Sequence, residues 1–305
     1  MKKRIIITGA TGLIGQHLFK KLSEKEYEII ILSTDTTKAM QLFPEAHEHI
    51  NWNSLLTDNF LKSLKNIYAV IHLAGASISG KRWSNKYKKI ILNSRVNTTR
   101  KLLNAIKECN EKPEVFISSS AIGYYGSSLT GEFDESSEAG KGFLADVCKQ
   151  WETEATKAVD LKMRYVCVRT GIVLANDGGA LSKMTLPYKL FIGGPIGSGK
   201  QWMSWIHIED LINIYIEALE NPELSEAINA TSPNPVKMNE FAKTIGKVLN
   251  RPAYFKVPSF VMKMLLGEAS SIVLEGQKVL PLKIKTGNFH FRFPNLENAA
   301  NDLLL

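Results

Sequence analysis

The sequence predicts an α/β fold built on a doubly wound parallel sheet, and three observations predict it. An apolar run, Arg4–Thr8, enters a turn with glycines at positions 9, 12 and 15. Comparable short apolar runs recur through the first half of the chain, with helix-length stretches between them. The runs also end in small and polar residues, at Thr8-Gly9, Leu73-Ala74-Gly75 and Ser118-Ser119-Ser120. Strand and helix alternating at this spacing make a parallel sheet with helices on both faces. Ligands of such sheets bind at the carboxyl ends of the strands, so these three turns are expected to line one crevice.

Taken in order, strands are expected at Arg4–Thr8, Glu28–Leu32, Ala69–Leu73, Val115–Ser119 and Tyr165–Arg169, and helices around His17–Ser23, Ser84–Cys109 and Phe143–Val159. After Arg169 the alternation weakens. Gly178-Gly179, Gly193-Gly194-Pro195 and Gly197-Ser198-Gly199 mark a long segment that reads as a mobile loop or a substrate-covering element. A helix-like stretch, Glu209–Leu219, follows, then a Pro-punctuated run to Pro235 and a smaller mixed region.

The first turn carries the most chemistry. Gly9 permits the tight turn, Gly12 lets a pyrophosphate approach without a Cβ in the way, and Gly15 allows close packing of the helix. Thr11, Leu13 and Ile14 complete the turn, where free N–H groups and the positive end of the helix dipole favour an anion. A Rossmann-type dinucleotide-binding domain is therefore expected over residues 1–175, with a return segment at about 204–230. Residues 176–203 and 231–305 are expected to form the smaller substrate-side and C-terminal domain.

Composition narrows the classes. The chain has 305 residues and 44% hydrophobic content, with no apolar run near the ~18 residues that span a bilayer. Met1-Lys2-Lys3-Arg4 precedes only three apolar residues, so this run reads as a strand and not as a targeting segment. Cys109, Cys148 and Cys167 form no CxxC pair, which points to a reduced, cytoplasmic protein without disulfides or bound metal. The formal charge is +8, but the basic residues read as scattered, and Lys86-Tyr87-Lys88-Lys89 reads as a solvated helix face. Neither a nucleic-acid nor a membrane partner is expected, and monomer or homodimer stays open.

Thr8-Gly9-x-x-Gly12-x-x-Gly15, His72-Leu73-Ala74-Gly75, Ser118-Ser119-Ser120 and the late Ser204-Trp205-Ile206-His207-Ile208-Glu209-Asp210-Leu211 resemble the extended short-chain dehydrogenase/reductase superfamily, which contains UDP-galactose 4-epimerase. A narrower resemblance is to an atypical branch described as nucleoside-diphosphate-sugar epimerases, or as relatives of human short-chain dehydrogenase family 39U. It rests on Arg82-Trp83, Asn93-Ser94-Arg95, Gly123-Tyr124-Tyr125-Gly126, Phe143-Leu144-Ala145, Cys148, Trp151-Glu152 and Arg169-Thr170-Gly171. Gly193 through Trp202, Gly267-Glu268-Ala269 and Gln277-Lys278-Val279-Leu280-Pro281 belong to it as well, the last two resembling the branch's own C-terminal domain.

The resemblance also exposes a gap. The superfamily uses Tyr-x-x-x-Lys, in which the Lys and the oxidised cofactor depress the phenol pKa. The matching frame here reads Leu144-x-x-x-Cys148. Lys149 lies one position on, rotated about 100° around a helix. Arg95 replaces the usual active-site Asn, and of the catalytic set only Ser120 remains. Candidate proton-handling residues are thus Ser120, Cys148, Tyr124 and Tyr125, against the plainer readings of a turn serine, a space-filling cysteine and packing aromatics. Arg95 suits an anionic cofactor contact, His207 reads as structural, and Gln201 and Trp202 are candidates for holding a substrate ring.

The end of the second strand decides the cofactor. A carboxylate there accepts from the ribose of NAD, and basic or hydroxyl residues suit the 2′-phosphate of NADP. The position falls on Ser33, with Thr34 next and Lys38 beyond. NADP is the expectation, and Asp35 keeps NAD open. Leu73, Ala74, Gly75, Ser118 and Ser119 are expected along the same crevice. The functional expectation is an NAD(P)(H)-dependent oxidoreductase or nucleotide-sugar epimerase acting on a small polar substrate. Its rival is a non-catalytic NADP(H)-binding regulator, favoured by the loss of Tyr-x-x-x-Lys.

Overall fold

The computed structural model describes residues 2–55, 57, 65–287 and 289–305. Its first half runs β1 (Arg4–Thr8), α1 (Leu13–Glu24), β2 (Glu28–Ser33), α2 (Thr36–Leu42), β3 (Glu48–Asn51), β4 (Ile67–His72), α3 (Asn85–Lys107), β5 (Val115–Ala121), β6 (Glu132–Phe133), α4 (Phe143–Thr156) and β7 (Arg164–Thr170). The second half continues with β8 (Ile172–Leu174), α5 (Gly179–Lys189), β9 (Trp202–Met203), β10 (Trp205–His207), α6 (Ile208–Glu220), β11 (Glu226–Ala230), β12 (Val236–Lys237) and α7 (Met238–Val248). Last come α8 (Ser259–Leu266), α9 (Ser271–Leu274), β13 (Lys278–Val279), α10 (Leu282–Thr286) and α11 (Leu296–Leu304).

Seven strands form one sheet in the order β11-β7-β5-β4-β1-β2-β3, with every neighbouring pair parallel. The chain enters at the centre, builds outward through β2 and β3, then crosses to β4 on the other side of β1. The strand order therefore reverses between β1 and β4, where doubly wound sheets bind ligands.

The period-two alternation of the strands decides what covers each face. Ile5, Ile7, Ile29, Ile31 and Ile117 pack with Leu18, Phe19 and Leu22 of α1 and Leu211, Ile212 and Tyr215 of α6. Ile6, Ile30, Val70 and Phe116 face the other way, onto Leu102, Leu103 and Ile106 of α3 and Ala155 of α4. Both faces are covered, so the strands read as continuous apolar runs.

Three short two-stranded ladders lie outside this sheet. β10 runs parallel to β8, β12 pairs antiparallel with β9, and β13 runs parallel to β6. Ser204 reinforces the last of these, since its Oγ donates to Gln277 O at 2.8 Å and accepts from Val279 N at 2.9 Å.

Candidate functional site

The glycine turn sits at the switch point, and its three glycines face different surroundings. Gly9 has φ +70°, and a Cβ there would lie 2.7 Å from the Leu73 carbonyl carbon, so the β1 turn rests directly on the β4 turn. A Cβ on Gly15 would lie 2.5 Å from Ala10 Cα, which makes Gly15 the point where α1 meets the turn itself. Gly12 is open, with Gly9 O at 3.3 Å the only neighbour of an added Cβ. Gly12 is also the N-cap of α1, and no side chain caps that end. Gly12 N itself donates to Gly9 O at 3.1 Å, which leaves the N–H groups of Leu13 and Ile14 at this end with the helix dipole behind them, an arrangement suited to phosphate.

At the β4 end, His72 joins three elements. Its Nδ1 lies 2.7 Å from Thr8 Oγ1 at the end of β1, and its Nε2 lies 3.4 Å from Thr98 Oγ1 on α3. Burial pushes its pKa down to about 3, so the ring stays neutral. One residue beyond Ala74, Gly75 lies against the Arg95 guanidinium, 3.2 Å from Cζ to where a Cβ would stand. Arg95 Nη1 donates to Ala76 O and Ile91 O, each at 3.0 Å. Burial lowers the Arg95 pKa. The charge thus meets backbone carbonyls of the β4 turn and α3, and stands next to the crevice.

At the β5 end, α4 presents Leu144, Cys148 and Glu152 on one face at i, i+4 spacing. Gly123 packs onto the first two, its position for a Cβ being 3.2 Å from Leu144 Cβ and 3.8 Å from Cys148 Sγ. Ser120 Oγ donates to Glu152 Oε1 at 2.6 Å. Arg169 of β7 grips the same carboxylate twice, Nε to Oε1 at 2.9 Å and Nη2 to Oε2 at 2.8 Å. Arg169 Nη1 then donates to Tyr125 OH at 2.8 Å, and Tyr125 donates to Asn229 Oδ1 at 2.7 Å. Tyr124 lies with its ring 3.5 Å beneath the Arg169 guanidinium carbon.

This network sorts the proton-handling candidates. The Cys148 thiol is buried, in reach of Ser120 and Ala121, and burial pushes its pKa up to about 12. Tyr125 is buried with its hydroxyl engaged on both sides, and its pKa also rises to about 12, chiefly through desolvation. Lys149 is exposed on the far side of α4. Ser120 is buried at the end of β5, and Tyr124 is half-buried. With its proton given to Glu152, Ser120 Oγ presents lone pairs, which suit a ligand hydroxyl that donates.

Several expected ligand contacts have other duties. Ser119 points to the opposite face of the sheet, with Oγ 2.8 Å from Tyr215 OH, because adjacent strand residues alternate. Ser118 Oγ is buried and donates to Ser119 O. Gln201 is buried and saturated: Nε2 donates to Ile196 O at 3.0 Å and Val273 O at 2.9 Å, and Oε1 accepts from Ser198 Oγ at 3.2 Å. It pins the glycine-rich segment to the C-terminal region and has no donor left for a substrate. Trp202 Nε1 donates to Leu129 O at 3.0 Å, and Lys237 and Lys278 approach its partly exposed ring. His207 caps α6 by accepting from Glu209 N at 3.1 Å, in line with its structural reading.

At the β2 end, the Ser33 Oγ accepts from Asp35 N at 3.1 Å, and Asp35 Oδ1 accepts from Lys38 N at 3.0 Å as the N-cap of α2. Thr34 and Lys38 are exposed. One oxygen of the carboxylate that kept NAD open thus caps a helix end, while Asp35 itself is exposed.

Glu152, Arg169 and Asn229 received no role from sequence. Two signals mark the first pair: a charge at the end of an otherwise apolar buried strand requires a partner, and Glu152 extends the 144/148 face by one turn.

An open glycine turn, an uncapped helix N-terminus and a neighbouring cation at the switch point define a dinucleotide-binding α/β protein. The chain belongs to the NAD dependent epimerase/dehydratase family, whose model matches residues 5–230. Residues 257–303 match a domain of unknown function, DUF1731. The chain is 41% identical to the chloroplastic SDR39U1 homolog of Arabidopsis thaliana, an epimerase family protein, over 98% of this chain and 86% of the relative. It is 39% identical to the epimerase family protein YfhF of Bacillus subtilis, over 98% and 97% of the two chains. The crystal structure of human SDR39U1 (isoform 2) with NADPH superposes with a TM-score of 0.89 at 34% identity, covering 98% of each chain. The atypical short-chain dehydrogenase/reductase branch suggested by the sequence is thus the right one, and this is an NAD(P)-binding member of it.

Proposed function

We propose that the chain holds NADP(H) in the switch-point crevice and acts as an oxidoreductase or nucleotide-sugar epimerase on a small polar substrate that carries a hydroxyl. The observation that carries this reading is the open Gly12 at the uncapped end of α1, with the Arg95 guanidinium against Gly75 at the adjoining β4 turn. Leu13 and Ile14 meet the pyrophosphate through backbone N–H groups, and Gly12 leaves it room to approach. Ser33, Thr34 and Lys38 face the 2′-phosphate, a reading favoured by the Asp35 cap on α2 and by the NADPH in the human relative. When bound, the nicotinamide supplies or accepts a hydride. Ser120 accepts a hydrogen bond from the substrate hydroxyl, and Tyr124 carries the proton, with Cys148 and Tyr125 packed behind them. Residues 176–203 and 231–305 form the substrate-side wall.

A second reading, an NADP(H)-binding regulator without turnover, is favoured by one observation. Ser120 is tied to Glu152, while the Tyr125 hydroxyl and the Cys148 thiol are buried and held protonated. NADPH oxidation measured on a panel of carbonyl compounds and nucleotide sugars separates the two. Tyr124→Phe is expected to lower turnover by about 10²-fold or more, the scale of general acid catalysis, with NADPH affinity unchanged. Ser120→Ala is expected to act in the same direction. A parent protein that binds NADPH and turns over nothing on the panel assigns the chain to the regulator.

A further inference from the structure

An unexplained surface lies where the segment after α5 runs beside the segment before α8, on residues that take no part in the hydrogen-bond network of Ser120, Glu152 and Arg169. Phe255 N donates to Gly193 O at 3.1 Å and Val257 N to Pro195 O at 3.0 Å, so the two segments are stitched together. What they display is apolar. Phe191 and Ile192 on the first segment, Tyr254 on the second, and Phe260, Met264 and Leu265 on α8 are each more than half exposed. No residue of α8 is buried, although its sequence, SFVMKMLL, has only Ser259 and Lys263 as polar members. Contiguous exposed apolar surface of this kind on a soluble chain marks an interaction site.

Charge selects the partner. Residues 178–208 and residues 241–267 contain no Asp or Glu, yet they carry Lys183, Lys189, Arg251, Lys256 and Lys263. The Arg251 guanidinium lies 4.5 Å above the Phe191 ring, which places positive charge directly on the apolar surface. α8 also ends against a third segment free of acids, residues 76–107, where Arg82 Nη2 donates to Met264 O at 2.9 Å. The nearest carboxylate beyond α8, Glu268, is paired with Lys88. The apolar face is thus flanked by segments that carry basic residues and no acidic ones.

We propose that this face, formed by residues 186–192 and 251–266, docks on an anionic membrane surface. Aromatic and aliphatic side chains ringed by lysines, with no acids among them, match the boundary between acyl chains and anionic headgroups. The contact is peripheral, because α8 has eight residues, about 12 Å of helix, too short to cross a bilayer. A second copy of the chain is the poorer occupant. A two-fold contact sets each patch against itself, which would bring Lys189, Arg251, Lys256 and Lys263 of both copies together.

Flotation of the full chain with phosphatidylglycerol–phosphatidylcholine vesicles tests the proposal independently of any catalytic activity. The parent is expected to float with these vesicles, less so at raised salt, and to stay behind with pure phosphatidylcholine. The triple variants Phe191→Ser/Phe260→Ser/Met264→Ser and Lys189→Glu/Lys256→Glu/Lys263→Glu are each expected to bind at least about tenfold more weakly. All six side chains are exposed, so the thermal midpoint and NADPH affinity of both variants are expected to match the parent. A parent that does not float at low salt, or variants that float like the parent, would overturn the proposal. So would sedimentation velocity showing a dimer that the serine variant dissolves, or retention on polyglutamate without flotation, which would assign the face to a second copy or to an acidic protein.

Discussion

Individual residues in this site divide by how much of their environment is local in sequence. The glycine turn is legible because local contacts require Gly9 and Gly15 and a spaced third glycine, Gly12, leaves the helix end open. The β5 end is only half legible: Ser120 is recognisable, but whether Ser118 and Ser119 share its surroundings depends on strand parity and on Tyr215, 96 residues away. Glu152 and Arg169 were invisible as a pair because they meet only after α4 packs on β7. Their energetics are testable. Arg169 is 4% exposed, so Glu152→Gln leaves a buried guanidinium without its countercharge, and urea unfolding is expected to show a loss of about 3–5 kcal/mol. A loss below about 1 kcal/mol would mean that Arg169 finds solvent or another partner.

His72 gives the pH dependence at this scale. Its pKa falls from the ordinary 6.5 to about 3 in the folded chain. Above pH 6.5 both states are neutral and the residue contributes no slope. Below that, the unfolded state takes up a proton that the folded state refuses, so stability falls with falling pH by about 1.4 kcal/mol per unit. The decline continues until the folded form protonates near pH 3. Urea melts at pH 7 and pH 5 are expected to show a smaller difference in His72→Asn than in the parent. An equal difference in the two proteins would show that His72 is not held neutral. His207, also lowered by burial, acts in the same direction and remains in both proteins.

At the scale of elements, the expected strands appear with ends within two residues, since buried parallel strands leave continuous apolar runs between turn residues. Expectations were weakest after Arg169. The glycine-rich stretch suggested a mobile or ligand-covering loop with Gln201 and Trp202 facing a substrate, whereas both side chains hold the loop to residues far along the chain. Pairing of two-residue strands such as β6 with β13 leaves no periodic signal to read. The His207-x-x-Asp210 segment is likewise a joint. Asp210 accepts from Arg292 N at 2.8 Å and from Phe293 N at 2.9 Å, fastening the chain before α11 to the start of α6. Asp210→Ala leaves two backbone donors unpaired, and a cost of about 2–4 kcal/mol is expected in chemical denaturation. Hydrogen exchange should localise the loss to residues 289–305; uniform loss of protection throughout the sheet would show that the clamp is not local.

For the whole molecule, the account joins one fold to one ligand class. Strand order puts the crevice between β1 and β4, the open glycine turn gives it an anion-binding floor, and the β2 end sets which dinucleotide it takes. On the proposal that Ser33, Thr34 and Lys38 face a 2′-phosphate, NADPH is expected to bind more tightly than NADH, and raised salt to narrow the gap by screening the exposed Lys38. Preference for NADH at every salt concentration would return Asp35 to the ribose.

The most direct test of the central claim is a calorimetric titration of NADPH into the parent and into Gly12→Val. The first added carbon, a Cβ, meets Gly9 O at 3.3 Å, a close contact that a small shift relieves, so the variant is expected to fold, which its thermal unfolding checks. Its valine would stand where the pyrophosphate approaches, and the predicted result is saturable binding to the parent with no detectable heat from the folded variant. NADPH binding to Gly12→Val with the parent's affinity would contradict the account and place the dinucleotide elsewhere.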